Sequence, residues 1–452
     1  MIKTNYLTKI GIHLLIGLLV YNVGLFPKIY FFGVIIYFII EIFSASPKDR
    51  VVSVVCASAY IVGVEVLFRM TNAGVFYESC KYLVILYMII GTILNGLSNR
   101  SYPYLFYLFL LIPSIIVASI GIGLDSDLRK NIAFVLSGPV CLGMSALYCF
   151  DKKITSKQLY RILQYLGLPI VSLTVYLFLY TARLEDIFRG TQSNFAASGG
   201  FGPNQVATVL GLGMFVFCVN FFLQSKDKIQ QIVNIIIFAA ISYRGIITFS
   251  RGGIFTAILM IFAFLAIFYF KSNYRNRKVI STSLLILSIA SALTWVISSN
   301  QTSGLIDKRY ANQDAFGKDK EDITTGRADI FFGELEGFVD NPFVGVGANG
   351  MKEHRIKTLG EVIATHNELS RLLSEHGLLG IFILLILIFM PLIYRASNTR
   401  NIFFYSFLIF WFATINHSAM RIAAPGFIYA LALLNVTYEK RPLHRKRLIE
   451  QR

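Results

Sequence analysis

The stretch THNELSRLLSEHGLLGIFILLILIFMPLIY, residues 365–394, changes character partway along. Its first twelve residues hold two histidines, two glutamates, an arginine, an asparagine and two serines; the eighteen that follow carry no charge. A helix needs about 20 apolar residues to cross a hydrocarbon core roughly 30 Å thick. The stretch therefore reads as a membrane span entered through an ionisable threshold, and the same test can be run along the whole chain.

Fourteen apolar runs satisfy it or come close: 10–26, 29–43, 51–69, 81–97, 103–121, 131–150, 163–182, 204–223, 229–249, 253–270, 279–298, 377–394, 401–416 and 422–437, of which the second and thirteenth are short. Composition agrees. Hydrophobic residues make up 55% of the 452 and charged ones 15%, and the mean hydropathy is +0.63, whereas soluble chains carry about 25% charged residues. The expected fold is all-α, a polytopic bundle of about 12–14 spans. Residues 1–298 form the first eleven spans, 299–376 a long polar loop, 377–437 the last three spans and 438–452 a basic tail. The first run lacks a small-residue cleavage site and is followed at once by a second, so it reads as a retained helix rather than a signal peptide. The five cysteines lie in or beside apolar runs, as small core residues rather than a disulfide or metal framework. No internal repeat or low-complexity segment is evident.

Orientation follows from the short connections. SPKDR (46–50), DKKITSKQLYR (151–161), KDK (226–228), KSNYRNRK (271–278), RASNTR (395–400) and the tail fall on one side and are strongly cationic. The long stretch from 299 to 375 falls on the other side, with nine Lys or Arg against thirteen Asp or Glu. Basic connections stay in the cytoplasm, so both termini are expected inside and the long loop outside. The +17 net charge then reads as an orientation device against anionic lipid and calls for no nucleic acid.

The external side collects polar islands. In the opening stretch, Thr365 and Glu368 form T-x-x-E, the pattern of a capping box. That pattern places His366 at the first helical position, where the dipole disfavours imidazolium. A neutral histidine there is either a general base or an ordinary interfacial side chain. Glu368, Arg371 and Glu375 are spaced to pair along the helix. The ten-residue offset to His376 argues against a shared metal site. In TFSRGGIF (248–255), Arg251 is followed by two glycines; its planar fork suits phosphate oxygens, though an arginine at a span end also snorkels to the interface. Arg244, nearly two turns earlier, would add to the same field. FRGTQSNFAASGGFGPNQVA (188–207) brings Arg189, Asn204 and Gln205, with Pro203 as a helix opener, and NHSAMR (416–421) brings His417 and Arg421. Cations from four connections at one face suggest an anionic ligand; a scattered interfacial belt would look the same.

Two further motifs are weighed and set aside. Gly345, Gly347 and Gly350 satisfy G-x-G-x-x-G, but the strand, helix and acidic residue of a dinucleotide fold are missing. A turn that lets backbone approach a ligand or a helix fits better. Asp125 and Asp127 are far short of a divalent-cation shell. The first half of the long loop, 299–325, is polar and turn-rich and reads as a surface excursion.

Taken in order, GPNQVATVLGLGMF (202–215), FSRGG (249–253), GR…NPFVGVGANGM (326–351) and THNELSRLLSEHGLLGIF (365–382) resemble the O-antigen ligase and polymerase superfamily, over about residues 200–395. The resemblance implies a GT-C-like fold in the bacterial inner membrane and a glycosyltransferase working on the periplasmic face. It implies a glycan moved from undecaprenyl pyrophosphate to an acceptor, with no cofactor and no metal. Arg251 and Arg327 match the family's two arginines and His366 the histidine of its His-Asn pair, with Asn367 beside it. Arg189, Asn204, Arg244, Asn367, His417 and Arg421 complete the expected substrate-binding set. A ligase would use lipid A core as acceptor, a polymerase a second lipid-linked glycan, and related enzymes a protein hydroxyl. A polysaccharide transporter or lipid flippase is the reading from another class; it would place ionisable residues at mid-membrane, whereas here they gather at one surface.

Overall fold

The computed structural model describes residues 5–122, 126–181, 190–320, 326–359 and 365–437. It is a bundle of helices: α1 (Tyr6–Asn22), α2 (Phe26–Ser44), α3 (Arg50–Met70), α4 (Ser79–Asn95), α5 (Tyr102–Leu110), α6 (Ile112–Ile122), α7 (Ser126–Cys149), α8 (Ser156–Tyr180), α9 (Pro203–Val219), α10 (Lys228–Ile246), α11 (Arg251–Lys271) and α12 (Tyr274–Gln301) before the long loop. The loop contributes α13 (Leu305–Tyr310), α14 (Arg327–Asp340), α15 (Gly350–Leu359) and α16 (Glu368–His376). After it come α17 (Leu378–Ser397), α18 (Phe404–His417) and α19 (Ala424–Ala432). A two-stranded parallel sheet, β1 (Lys153–Thr155) with β2 (Asn435–Thr437), closes one end.

Each apolar run of the sequence corresponds to a helical segment. Among the described residues ten are long and apolar enough to cross a membrane, α5 and α6 counting together as one broken span, and α1 and α4 are apolar helices of 17 residues. The second run is longer than its sequence pattern suggested, because Pro27 can open α2 before the apolar stretch begins. The last run differs most. Its helix stops after nine residues, about 14 Å of rise, and the chain continues extended into β2. Asn401 donates to the carbonyl of Leu431 at 3.2 Å and Asn398 to that of Leu434 at 2.8 Å, while Asn435 N–H donates to the Lys152 carbonyl at 2.9 Å. The first two bonds satisfy carbonyls that a continuing helix would have used, and the third takes up an amide.

Burial sorts the helices into layers. α3, α9 and α19 are buried on nearly every side. The outer helices turn apolar side chains outward, among them Leu15, Ile36, Leu285, Ile289 and Phe389, as a hydrocarbon surround requires. Without a hydrophobic drive between helices in lipid, close packing decides the pairings. α3 and α8 pack closely: a Cβ on Gly63 would lie 2.2 Å from the Leu166 carbonyl oxygen.

The two faces that charge distinguishes are also distinguished by contact. On the basic face Tyr6 hydrogen-bonds Asn234, Arg161 pairs with Glu41 at 3.1 Å, Lys271 donates to the Thr399 carbonyl at 2.8 Å, and Tyr394 and Asn435 both donate to Asp151. On the long-loop face Ala423 N–H donates to Glu65 at 2.7 Å, Asn194 N–H to the Thr248 carbonyl at 3.0 Å, and Arg421 to the Thr365 carbonyl at 2.8 Å. Each of these bonds joins segments that the alternation of spans puts on one side. The five native cysteines are all buried, so introduced thiols can be read against a quiet background. Single cysteines at Ser303 and Lys352 are expected to react together with a membrane-impermeant maleimide applied to spheroplasts, while one at Ser397 stays unlabelled. Shared labelling of Ser397 with the other two would break the alternation.

Candidate active site

Four helices begin around one place on the long-loop face. α9 opens at Pro203 with Pro at its first position, as the sequence suggested. α11 opens at Arg251 behind Ser250, whose hydroxyl caps nothing and instead donates to Asn204 Oδ1 at 2.7 Å. α14 opens at Arg327 behind Gly326, which takes the left-handed conformation at φ 76° that glycine adopts without a Cβ clash. α16 opens at Glu368 behind Asn367, whose side chain accepts from the amides of Leu369 at 2.8 Å and Ser370 at 3.3 Å.

A helix N-terminus carries about half a positive charge and disfavours cations in its first turn. Here α11 and α14 each start on an arginine, with no side-chain cap on either. Positive side chains added to positive helix ends make an arrangement that an anion relieves.

Two cavities meet at this point. The smaller, about 330 Å³, is lined by Asn204, Ser250, Arg251, Gly252, Arg309, Arg327, His366, Asn367 and Asn416. The larger, about 800 Å³, is lined by polar groups that include Gln205, Asp329, Glu336, Asp340, His354, Arg355 and Arg421. Asn204, Arg327, Ile330 and His366 belong to both, so they stand at the junction.

The electrostatics are one-sided. Arg327 is pushed below the ordinary guanidinium range by burial and then by Arg251. His366 is pushed down to about 3, first by burial and then by Arg421, Arg327, His417 and Arg355. The imidazole is neutral at pH 7, as the sequence suggested, but surrounding cations and burial cause it rather than a helix dipole. Its Nδ1 is buried without a partner, which leaves Nε2 as the nitrogen available to the cavities.

The expected capping box is not what forms. Asn367 is the N-cap, and His366 lies one residue outside the helix. Thr365 is taken by tertiary partners: it donates to Glu334 and accepts from Arg355 at 2.9 Å. Asn367 also donates to Asn416 at 3.2 Å. Glu368 pairs with Arg371 as expected, and Arg371 donates on to the Val135 carbonyl at 3.0 Å. Glu375 is pushed up to about 8, mainly by burial.

Other expected residues stand apart from the cavities. Arg244 lines neither; it is buried, donates to the Ala197 carbonyl at 2.8 Å and lies over the Phe178 ring. His417 lies behind the site, its ring so close to Gly252 that a Cβ there would be 2.5 Å from it, with Nδ1 on the Ala413 carbonyl at 2.8 Å. Arg189 and Asp125 fall outside the described residues, as does the side chain of Asp127. The glycine-rich turn is structural. Gly345 and Gly347 have positive φ, Val346 N–H donates to the Ser374 carbonyl at 2.9 Å, and Ala348 N–H donates to Ser114 at 3.0 Å. That docks the turn on α16 and α6.

Three contributors escaped the sequence reading. Arg309, on α13 in the half of the loop read as a surface excursion, lines the smaller cavity. Asn416 does too. Glu334 is fully buried and accepts from Arg355 at 3.1 Å, from Ser370 at 2.5 Å and from Thr365. Nothing local marks it, because α14 also carries Asp329, Glu336 and Asp340.

Residues 235–385, a third of the chain, match the model of a family described as O-Antigen ligase. A comparison with curated proteins finds no match. The matched segment contains Arg251, Arg309, Arg327, Glu334 and His366; Asn204, Asn416 and Arg421 come from outside it.

Glu334→Ala would remove the acceptor shared by Arg355, Thr365 and Ser370; breaking a buried ion pair costs about 3–5 kcal/mol. Thermal unfolding in detergent should show the full loss, and Glu334→Gln, which keeps an acceptor for Thr365 or Ser370, a smaller one. Equal stability of all three proteins would remove Glu334 from the framework.

Proposed function

We propose, from the O-antigen ligase match and the two cavities together, that this multi-pass membrane protein is a glycosyltransferase that moves a glycan from undecaprenyl pyrophosphate to an acceptor hydroxyl on the periplasmic face. The observation that carries the reading is that Arg251, Arg327 and His366, distant in sequence, line one cavity. The cationic short connections lie on the opposite face, which favours a periplasmic site.

The chemistry follows from the arrangement. A sugar hydroxyl on the acceptor attacks the anomeric carbon, the bond from that carbon to the phosphate oxygen breaks, and the diphosphate departs with the electron pair. Charge building on the departing oxygen is met by the guanidiniums of Arg251 and Arg327 and by the starts of α11 and α14. Such preorganised groups are worth most in a water-poor site. The guanidiniums supply the countercharge a divalent ion would bring, so chelators are expected to leave the enzyme active.

His366 takes the acceptor's proton. It lines both cavities, so a hydroxyl entering through the larger reaches a carbon held at the smaller. At about 3 its proton affinity is low for a base at neutral pH. The donor's negative charges offset the fields of Arg327 and Arg421 and raise it. Base strength therefore rises when donor is bound. The acceptor is a sugar of lipid A core in the ligase form of this reading and a second lipid-linked glycan in the polymerase form, with the same residues in the same roles.

His366→Ala should slow transfer by about 10²–10⁴ while donor binding persists; a variant as fast as wild type would end the general-base role. In the free enzyme, activity should hold at neutral pH and fall only well below the ordinary histidine range. Removing a positive neighbour favours the protonated ring and raises its pKa, so Arg421→Gln should move the acidic limb of the rate profile to higher pH. An unmoved or opposite limb would show that His366 is not the titrating group. Deleting the gene and running the surface glycan on a gel separates the two acceptors: polymer missing from the core means ligase, a single repeat unit on the core means polymerase.

A further inference from the structure

Arg309 sits in a stretch of the loop whose sequence carries no recognisable motif, yet its guanidinium is positioned with care. Nε donates to the carbonyl of Phe249 at 3.1 Å. That carbonyl is aimed by an unusual backbone: Phe249 is fully buried and has φ 58°, a conformation bulky residues rarely adopt. Such strain persists only where the surroundings impose it, and it clusters at ligand sites. Ile246, Phe249 and Ile306 pack together and hold α13 against the end of α10.

With Nε occupied, the two terminal nitrogens remain, and Arg309 lines the smaller cavity with Arg251 and Arg327. Among the described residues the Arg309 side chain makes no other hydrogen bond and no ion pair. Its proton affinity is pushed down to about 10, by burial first and then by Arg251 and Arg327. Lys320, close behind, is lowered by burial and then by Arg309 and Arg251. Three guanidiniums thus share about 330 Å³. A diphosphate brings more negative charge to three guanidiniums than a monophosphate does, and its two phosphoryl groups let them bind without crowding around one phosphorus.

We propose that Arg309 is a third anion-binding residue of the smaller cavity, engaging the second phosphoryl group of a diphosphate and making the site selective for diphosphate-linked over monophosphate-linked donors. The proposal rests on the functional reading above and adds a residue and a selectivity to it.

The test is calorimetric binding of inorganic pyrophosphate and of inorganic phosphate, without divalent metal, to the detergent-solubilised full chain. Wild type should bind pyrophosphate more tightly than phosphate. Arg309→Gln, whose amide can still reach the Phe249 carbonyl, should weaken pyrophosphate about 10- to 150-fold and leave phosphate nearly unchanged. Arg251→Gln should weaken both. Because Arg309 adds repulsion to an empty site, Arg309→Gln without ligand should melt at or above the wild-type temperature, whereas a purely structural arginine would lower it. Arg309→Lys, keeping charge without the fork, should fall between wild type and Arg309→Gln and serves if the glutamine variant fails to fold. Unchanged pyrophosphate affinity in both Arg309 variants, with loss in Arg251→Gln, would overturn the Arg309 role alone. Failure of wild type to bind pyrophosphate at all would take the diphosphate reading down with it.

Discussion

A single buried carboxylate holds the candidate site together. Glu334 accepts from Thr365, Ser370 and Arg355 at once, so α14, which begins with Arg327, is tied to the segment that carries His366 and to α15. A buried ion pair adds little net stability because desolvation opposes the Coulomb gain. What it does here is fix geometry. The donors come from α15 and from the segment that opens α16, and a common acceptor on α14 ties the histidine's segment to the arginine's helix.

Around that anchor the charges are arranged against local preference. Arginines occupy the first turns of α11 and α14, and Phe249 holds a left-handed backbone. Each choice lowers the stability of the empty protein, as sites shaped for a ligand commonly do. The same field keeps His366 neutral and weakly basic, which protects the imidazole from idle protonation while no anion is present. In the proposed reaction, affinity for the donor and activation of the acceptor share one electrostatic origin.

The fold was largely legible in the chain because lipid imposes a length and a polarity on every crossing, and basic short connections reveal the sides. Site residues were legible where a local pattern marked them: Arg251 between a serine and two glycines, His366 next to a polar helix start. The cap was misread because both Thr365 and Asn367 are good capping residues, and the choice between them was made by Glu334 and Arg355, far away in sequence. Arg309 left no local trace at all; its place in the smaller cavity arises from the packing of Ile306 against Phe249. The final crossing was misjudged for a related reason: its apolar composition suits a span, but Asn398, Asn401 and β1 claim its last carbonyls.

That final crossing has a bearing on how the protein is made. α19 is buried along its whole length, between α3, α7 and α18. A ribosome delivers it after α1–α18. Until then α3 and α7 lack the helix that packs against both, and Glu65, paired with Arg69 on its own helix, lacks the Ala423 amide that also donates to it. α19 is thus the keystone of the bundle: helices set in place before it acquire a common partner only when it enters between them.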